Sequence, residues 1–193
     1  MLNKDDILIV CALEIETQGQ LEDYDILYTG VGKVNATFKL TKRLSGFAPK
    51  LVINYGTAGS RKIKKKTLVD CTKFVQRDMD VTGLGFMRGE TPFEDEPPLM
   101  LDFGITEYNN IRRRATCGSG DSFVEDRTQY YGEVVDMEAY ALAKVCYNYK
   151  IPFVSFKYIT DGADEQAHED WEKNLADGIE EFKKQVLDGV EDD

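Results

Sequence analysis

Short apolar runs alternate with amphipathic stretches along this chain of 193 residues, and this alternation limits its fold more than any other feature. The runs have the composition of buried strands, and helical patterns stand between several of them. Helices that connect successive strands favour a parallel sheet, so we predict an α/β fold. Strands are expected at 7–12, 26–28, 51–54, 68–74, 115–118, 134–136 and 151–158, and helices at 33–44, 137–148 and 171–187.

Acidic residues stand where three of these predicted strands end. The last strand leads to Asp161, the strand before it to Glu138, and the first strand to Glu14 and Glu16. Ligands of open α/β sheets bind beyond the carboxyl ends of the strands, so an acid in such a place is well positioned for chemistry. One such acid is usually a solvated carboxylate or a residue favoured by a helix N-terminus, but three in one chain are harder to explain that way.

The composition is that of one folded domain that does not bind nucleic acid. A chain of this length supports one substantial core, so we treat residues 1–193 as a single domain. Hydrophobic residues make up 42% of the chain, too many for a disordered protein. The formal net charge of −11 opposes binding to nucleic acid phosphates. The basic runs at 61–66 and 112–114 are short, and we interpret them as solvated faces.

No targeting or membrane-spanning segment is visible in the sequence. We therefore expect a cytoplasmic protein without membrane contact. The four cysteines are scattered without metal-ligand spacing, which favours reduced structural thiols. The one histidine, His168, lies in an acidic, helix-like stretch, where a surface role is the better interpretation.

Several segments, including those around the acids, follow one another in the order found in one enzyme superfamily. They are ALEIE at 12–16, TGVGKVNA at 29–36, VINYGTAG at 52–59, the stretch 80–92 that opens with DVT, GSGDSFV at 118–124, VVDMEAYALA at 134–143 and YITDGAD at 158–164. This ordered set resembles the purine nucleoside phosphorylase and nucleosidase superfamily. It is most similar to the 5′-methylthioadenosine/S-adenosylhomocysteine nucleosidase branch.

The resemblance implies a fold, an activity and an assembly. The fold would be a single three-layer α/β domain with a central mixed, mostly parallel sheet flanked by helices. The activity would be hydrolysis of the N-ribosidic bond of adenine nucleosides with release of adenine, as in nucleoside catabolism and methionine salvage. The resemblance implies no cofactor and no metal, a purine nucleoside as the small-molecule partner, and a homodimer.

The resemblance also implies roles for the acids and their neighbours. Asp161 would donate a proton or a hydrogen bond to N7 of the purine, and Glu16 would orient or deprotonate the attacking water. Glu138 would bind the ribose hydroxyls and, being ionised, stabilise positive charge on the sugar. Met137 would pack against the sugar, and Thr57 belongs to the segment beneath the ribose.

Sites for the base and for the 5′ substituent follow in the same way. Phe123 would stack on the purine, with the backbone of Val124 reading its edge and Ser122 beside them. Trp171 would narrow the apolar 5′ pocket, because it is larger than the phenylalanine usual there. In the family, segment 81–92 serves the pocket of a second subunit. The implied 5′ residues are Leu13, Val31, Val81, Leu84, Pro92 and Trp171.

Two other functions stay open at this point. Phosphorylases of the superfamily place an arginine where this chain has Asn54, so phosphate would have little to pair with here. Arg61, just past the glycine turn, is the residue that would support a phosphorylase. The other alternative is a nucleoside-binding protein without catalysis, which the presence of Glu16, Glu138 and Asp161 opposes.

Overall fold

One eight-stranded sheet lies between two groups of helices in the computed structural model, which describes residues 3–94 and 99–188. The strands are β1 Ile7–Cys11, β2 Asp25–Tyr28, β3 Leu51–Gly59, β4 Leu68–Gln76, β5 Met100–Asp102, β6 Ala115–Ser119, β7 Val134–Asp136 and β8 Phe153–Asp161. The helices are α1 Glu14–Thr17, α2 Lys33–Leu44, α3 Ala139–Tyr149, α4 Ala167–Asn174 and α5 Gly178–Phe182, with 3₁₀ turns at Lys4–Asp6, Thr82–Leu84 and Leu175–Asp177 and a π turn at Lys183–Leu187. None of the helices in the described ranges is long and apolar enough to cross a membrane.

Most neighbouring strands in the sheet are parallel, which confirms the predicted fold class. Strand β1 lies between β2 and β3, and all three run in the same direction. Strand β8 is parallel to β3 and antiparallel to β4, while β4, β6 and β7 are parallel. One antiparallel pair, Gly59 with Val135, joins β7 to β3. Pairing from strand to strand therefore forms a closed circuit through β3, β8, β4, β6 and β7. Strand β5 adds an antiparallel edge to β4.

Alternating side chains of the central strands form a core on each face of the sheet. Successive residues of a strand point to opposite faces. On one face Leu8 and Val52 pack with Leu40 of α2 and with residues of α3. On the other face Ile9 packs with Ile179 of α5. Because both faces are covered, the strands appear in the sequence as continuous apolar runs.

The helix predicted at 171–187 is wrong in its bounds and in its continuity. Helix α4 begins earlier, at Ala167, and a 3₁₀ turn separates it from α5. Gly178 follows that turn and lies against the sheet, where an added Cβ would come within 2.6 Å of side-chain atoms of Tyr55 and Tyr158. The break therefore follows from packing against strands that are distant in the sequence.

Three strands extend by two or more residues beyond their predicted ends, towards the site. Strands β3, β4 and β8 continue to Gly59, Gln76 and Asp161. The ladder between β3 and β8 persists to the pair of Gly59 and Asp161. Asp161 is thus held by the sheet itself. Strand β5 and helix α1, each only a few residues long, were not predicted.

The packing of the C-terminal helices predicts a large loss of stability for Phe182→Ala. Phe182 is fully buried, and its ring centroid lies 4.6 Å from that of Tyr55 and 5.7 Å from that of Phe156. Removing a buried phenyl ring leaves a cavity, so the free energy of unfolding should fall by about 3–5 kcal/mol. The control is Ile105→Ala at a position that is 58% exposed, which should change stability by about 0.5 kcal/mol or less. Urea denaturation measures both, and equal midpoints would contradict this packing.

Candidate active site

A cavity of about 350 Å³ opens where strands β1, β3, β7 and β8 end. Three of the four acids expected at the strand ends converge there, since Glu16, Glu138 and Asp161 line it. Glu14 does not line it and is exposed. Other predicted site residues in its lining are Leu13, Val31, Thr57, Ser122, Phe123, Val124, Met137 and Trp171.

Glu16 is buried, and both of its carboxylate oxygens accept hydrogen bonds. Helix α1 follows β1 after a short link and places Glu16 one turn from Leu13, whose N–H donates to Oε2 at 3.1 Å. Thr57 of β3 donates to Oε1 from its N–H at 2.8 Å and from its hydroxyl at 2.9 Å. Oε1 is therefore saturated, whereas Oε2 retains the capacity to accept a further hydrogen bond.

A tryptophan from α4 completes this group. Nε1 of Trp171 donates to Oγ1 of Thr57 at 3.0 Å. Indole has no acceptor, so the hydroxyl hydrogen of Thr57 is left for Glu16. Trp171 thus contributes a hydrogen bond to the site as well as the surface of its ring. The sequence did not indicate this hydrogen bond.

Asp161 is buried at the edge of the cavity with its carboxyl group fixed against the sheet. Its Oδ2 accepts from the hydroxyl of Thr160 and its Oδ1 from the N–H of Ala163, each at 2.9 Å. Burial raises the pKa of Asp161 above its ordinary value despite these bonds. Gly59 gives the carboxyl group room, since a Cβ there would lie 2.5 Å from Oδ1. This setting therefore favours the protonated form of Asp161 more than water does.

Glu138 stands immediately before α3 and reaches the loop that precedes α2. Its Oε1 accepts from the N–H of Gly32 at 2.8 Å. Burial, and then the charge of Asp136, raise the pKa of Glu138 to about 8. The sequence-based expectation was an ionised Glu138. In the free protein the protonated form is favoured at neutral pH instead.

A buried ion pair adjoins these acids and was not among the predicted site residues. Nζ of Lys157 in β8 lies 2.8 Å from Oδ2 of Asp136 in β7, and both side chains are almost wholly buried. Burial opposes both charges, but each partner stabilises the other, so the pKa of Asp136 is lowered and that of Lys157 is raised. The sequence carries a signal for this pair, because Lys157 interrupts a largely apolar run and a buried lysine requires a partner.

The same lysine also approaches Glu16. A Cβ added to Gly56 of β3 would lie 3.3 Å from Nζ of Lys157 and 3.4 Å from Oε1 of Glu16. The ammonium of Lys157 and the carboxylate of Glu16 therefore both lie close to the backbone of Gly56. A side chain at this position would crowd both groups, so the site requires a glycine there.

A buried arginine holds the loop that was expected to bind the base. Arg77 follows β4 directly and lines the cavity. Its guanidinium donates to the carbonyl oxygen of Gly120 at 3.1 Å, to Oγ of Ser122 at 3.2 Å and to the carbonyl oxygen of Ser122. These bonds fix the backbone that leads into Phe123 and Val124. Nothing in the local sequence around Arg77 indicates this contact, because its partners lie 43 and 45 residues further along the chain, beyond β5 and β6.

His168 lies at the mouth of the cavity. Its side chain is largely exposed, as expected for a surface histidine, yet it lines the cavity. Its ring meets that of Phe123 edge to face, with centroids 6.3 Å apart. Phe123 is itself partly exposed, so it is a residue of the cavity mouth rather than of the core.

The apolar residues implied for the 5′ pocket fall into two groups. The first group lines the cavity and comprises Leu13, Val31 and Trp171. The second group does not line the cavity of its own chain and comprises Val81, Leu84 and Pro92. The second group belongs to the connection between β4 and β5, in which Leu84 is 73% exposed. Its expected place in the pocket of a second subunit stays a prediction.

The residues that bear on the phosphorylase alternative lie outside the cavity. Asn54 is buried, and its Oδ1 accepts from the hydroxyl of Ser155 at 2.7 Å, so it links β3 to β8. Arg61 lines a separate cavity, and its guanidinium carbon lies 5.9 Å from the ring centroid of Tyr130. Neither side chain is placed to bind an anion beside Glu16.

Comparison with known proteins identifies the family of this chain. The sequence model of the Phosphorylase superfamily matches residues 17–190. The chain belongs to the phosphorylase superfamily. Among the curated members of this superfamily, the 5′-methylthioadenosine/S-adenosylhomocysteine nucleosidase of Haemophilus influenzae (strain PittEE) is 31% identical over 209 residues, covering 99% of this chain and 91% of the relative. These findings confirm the resemblance found in the sequence.

Solved structures agree with the phosphorylase superfamily fold. A mutant of the Helicobacter pylori nucleosidase, crystallised with 5′-methylthioadenosine in its active site, has a TM-score of 0.81 at 23% identity and covers 97% of this chain and 99% of its own. Futalosine hydrolase of the same organism also has a TM-score of 0.81 at 23% identity, covering 94% and 97%. At this identity the likeness shows the fold alone, and the names of these two enzymes indicate that the fold serves different substrates.

The raised pKa of Glu138 predicts that Glu138→Gln stabilises the free protein in a pH-dependent way. The folded protein holds the proton of Glu138 up to about pH 8, against an ordinary value of 4.5. Since the folded state binds more protons than the unfolded state between these values, wild-type stability falls as pH rises through that window. Glutamine does not ionise, so its advantage in melting temperature should grow from about pH 4.5 to about pH 8 and then level off.

The matched control for this measurement is Glu165→Gln, at an exposed position near α4. Its difference from wild type should show no such rise across the same pH range. A difference for Glu138→Gln that is constant with pH would contradict the raised pKa.

Proposed function

We propose that this protein is a nucleosidase that hydrolyses the N-ribosidic bond of adenine nucleosides such as 5′-methylthioadenosine and S-adenosylhomocysteine, releasing adenine. The observation that carries this proposal is the meeting of Glu16, Glu138 and Asp161 in one cavity, each in a different setting. Breaking the bond requires a protonated leaving base, a stabilised sugar cation and a positioned water, and three carboxyl groups in different settings supply one each. The names of the curated relatives support the proposal.

Asp161 is the proposed general acid. Burial raises the pKa of its carboxyl group, and a carboxyl group with a raised pKa is better suited to carry a proton to a leaving group than an ordinary aspartate. The proton would go to N7 of the purine, which removes negative charge from the departing base. Thr160 and Ala163 hold the carboxyl group in place for this transfer.

Glu138 is the proposed ligand of the ribose hydroxyls, with Met137 beside the sugar. In the free protein, burial and the charge of Asp136 oppose ionisation of Glu138. Positive charge on the sugar reverses this balance, because an opposite charge nearby favours the carboxylate. Glu138 therefore stabilises the transition state more than the ground state, and only such a difference accelerates the reaction.

Glu16 is the proposed base for the attacking water. Thr57 occupies Oε1 with both of its donors, so Oε2 is the oxygen that would take the proton. A phosphate in this place would meet a carboxylate and a threonine whose hydroxyl hydrogen is already committed. Asn54 and Arg61 do not offset that repulsion, because they face elsewhere. The two nearer cations are already committed, since Lys157 pairs with Asp136 and Arg77 holds the loop at 120–122. Water is therefore the proposed nucleophile.

The remainder of the cavity suits an adenine nucleoside with an apolar 5′ group. Phe123 at the mouth would stack on the base, with Ser122 and Val124 along its edge. Leu13 and Trp171, which also line the cavity, offer apolar surface, which favours an alkylthio group over a phosphate.

We also propose that the enzyme acts as a homodimer in the cytoplasm, and that its reaction serves methionine salvage. Helix α2 exposes Val34 and Phe38, and the connection between β4 and β5 exposes Leu84, Met87 and Phe93, the last of these to 91%. Exposed apolar side chains of this size favour an interface, because contact with a second subunit removes them from water. The same connection is the one expected to complete the 5′ pocket of the neighbouring subunit.

Dimerisation through this connection predicts a specific effect of Leu84→Asp. A buried unpaired carboxylate would weaken the interface, so the variant should sediment as a monomer and show a raised KM for 5′-methylthioadenosine. Ile105→Asp in another exposed loop is the control and should keep the wild-type sedimentation coefficient. A Leu84→Asp variant that sediments as wild type with unchanged KM would place this connection outside any interface.

Loss of adenine release in Asp161→Asn tests the proposed function. Asparagine keeps the shape of the side chain but has no proton to transfer, so kcat for 5′-methylthioadenosine should fall by about 10²-fold or more, with little change in binding. Asp164→Asn is the matched control, because Asp164 lies three residues further along, outside the main cavity. Wild-type protein that releases no adenine from any adenine nucleoside would overturn the function, and near-normal turnover by Asp161→Asn would overturn the role of Asp161.

A further inference from the structure

A chain of hydrogen bonds links helix α4 to the proposed catalytic base. Nε1 of Trp171 donates to Oγ1 of Thr57 at 3.0 Å, and Oγ1 of Thr57 donates to Oε1 of Glu16 at 2.9 Å. We propose that Trp171 is a positioning residue for hydrolysis, whose indole N–H holds the hydroxyl of Thr57 towards Glu16. This role rests on the function proposed above for Glu16.

The chemistry of the groups fixes the direction of this chain. Indole N–H donates only, and a hydroxyl has one hydrogen. Thr57 accepts from Trp171, so its one hydrogen is left for Glu16. Without the indole, the lone pair of Thr57 that accepts from it becomes open to water, and donation to Glu16 is no longer the single arrangement available to the hydroxyl.

The indole is itself held in place by the docking of α4. Nδ2 of Asn174 donates to the carbonyl oxygen of Thr160 at 2.8 Å, which ties the end of α4 to strand β8. Lys65, in the connection after β3, forms an ion pair with Asp170 in the middle of the helix. The residue before Trp171 and the last residue of the helix are therefore both anchored. Helix α4 is therefore held against the sheet on both sides of Trp171, which fixes the indole next to Thr57.

This arrangement controls which oxygen of Glu16 faces the substrate water. With Oε1 held by both donors of Thr57, the carboxylate cannot rotate without breaking those bonds. Oε2, which accepts only from Leu13 among the described residues, is then the oxygen available as base. The indole N–H thus acts on catalysis through two intervening bonds, separately from the volume that its ring takes in the cavity.

The test removes the indole N–H while keeping the size of the side chain. The chain contains one tryptophan, so biosynthetic incorporation of benzothienylalanine, in which sulfur replaces the N–H, changes this position alone. We expect kcat for 5′-methylthioadenosine to fall by about 3–10-fold, the range for one neutral hydrogen bond, while KM stays within about twofold. Trp171→Phe should lower kcat in the same way and, because it also enlarges the pocket, change the preference between S-adenosylhomocysteine and 5′-methylthioadenosine.

A double-mutant cycle with Thr57 isolates the hydrogen bond. Thr57→Val removes the hydroxyl but keeps the shape of the side chain, and in this background the benzothienylalanine substitution should lower kcat no further. Thr57→Ser is the conservative control and should keep both the hydroxyl and the effect of the substitution. The single indole N–H resonance in a ¹H–¹⁵N spectrum should move in Thr57→Val and stay in Thr57→Ser, which reports the bond without reference to activity.

Each outcome decides the role of Trp171. Unchanged kcat with benzothienylalanine, or an equal loss in the wild-type and Thr57→Val backgrounds, would overturn the positioning role and leave the nucleosidase function intact. A change confined to KM or to substrate preference would overturn the positioning role and mean that Trp171 acts only by setting the size of the pocket. Near-normal hydrolysis by Glu16→Gln would overturn the base itself and with it this role of Trp171, and the indole resonance would still show whether the bond to Thr57 exists.

Discussion

The buried ion pair between Lys157 and Asp136 is the interaction on which the arrangement of the site depends. Each charge would be costly in the interior alone, because removing one partner of such a pair destabilises a protein by about 3–5 kcal/mol. Strands β7 and β8 must therefore bring these side chains together. Asp136 also accepts from the hydroxyl of Ser119 in β6 and from the N–H of Ala139 at the start of α3. One carboxylate thus joins three strands and a helix beside the cavity.

The same pair accounts for the different charge states of neighbouring acids. Asp136 and Glu138 are both buried and lie two residues apart, yet the pKa of Asp136 is lowered and that of Glu138 is raised. Asp136 has an ammonium and several donors around it, whereas Glu138 accepts from the N–H of Gly32 and experiences the negative charge of Asp136. A carboxylate and a carboxylic acid therefore stand side by side. In the proposed mechanism, the second ionises when positive charge forms on the sugar.

What the sequence alone predicts is local in origin. Apolar runs indicate buried strands wherever they occur, so the α/β fold and the acids at the strand ends followed from short stretches of sequence. The ends of β3 and β8 did not follow, because their ladder continues through the less apolar residues that lead to Gly59 and Asp161. The split between α4 and α5 was missed because Gly178 is required by tyrosines of other strands.

The contacts in the site that the sequence did not predict join residues that are far apart in the chain. The resemblance indicated Trp171 as an apolar pocket residue, but its donation to Thr57 joins positions 114 residues apart. Arg77 likewise acts on carbonyl groups that lie far along the chain. Lys157 is the exception, because a charge within a largely apolar run already implies a buried partner, even though the identity of that partner requires the fold.

Hydrolysis by a water that Glu16 activates is tested most directly by following the sugar product in the presence of phosphate. The measurement is ³¹P NMR of a reaction with 5′-methylthioadenosine in phosphate buffer, with adenine determined in parallel. We predict free methylthioribose in an amount equal to the adenine released, and a phosphate signal that stays constant. A new phosphate ester resonance equal in amount to the adenine would contradict this account.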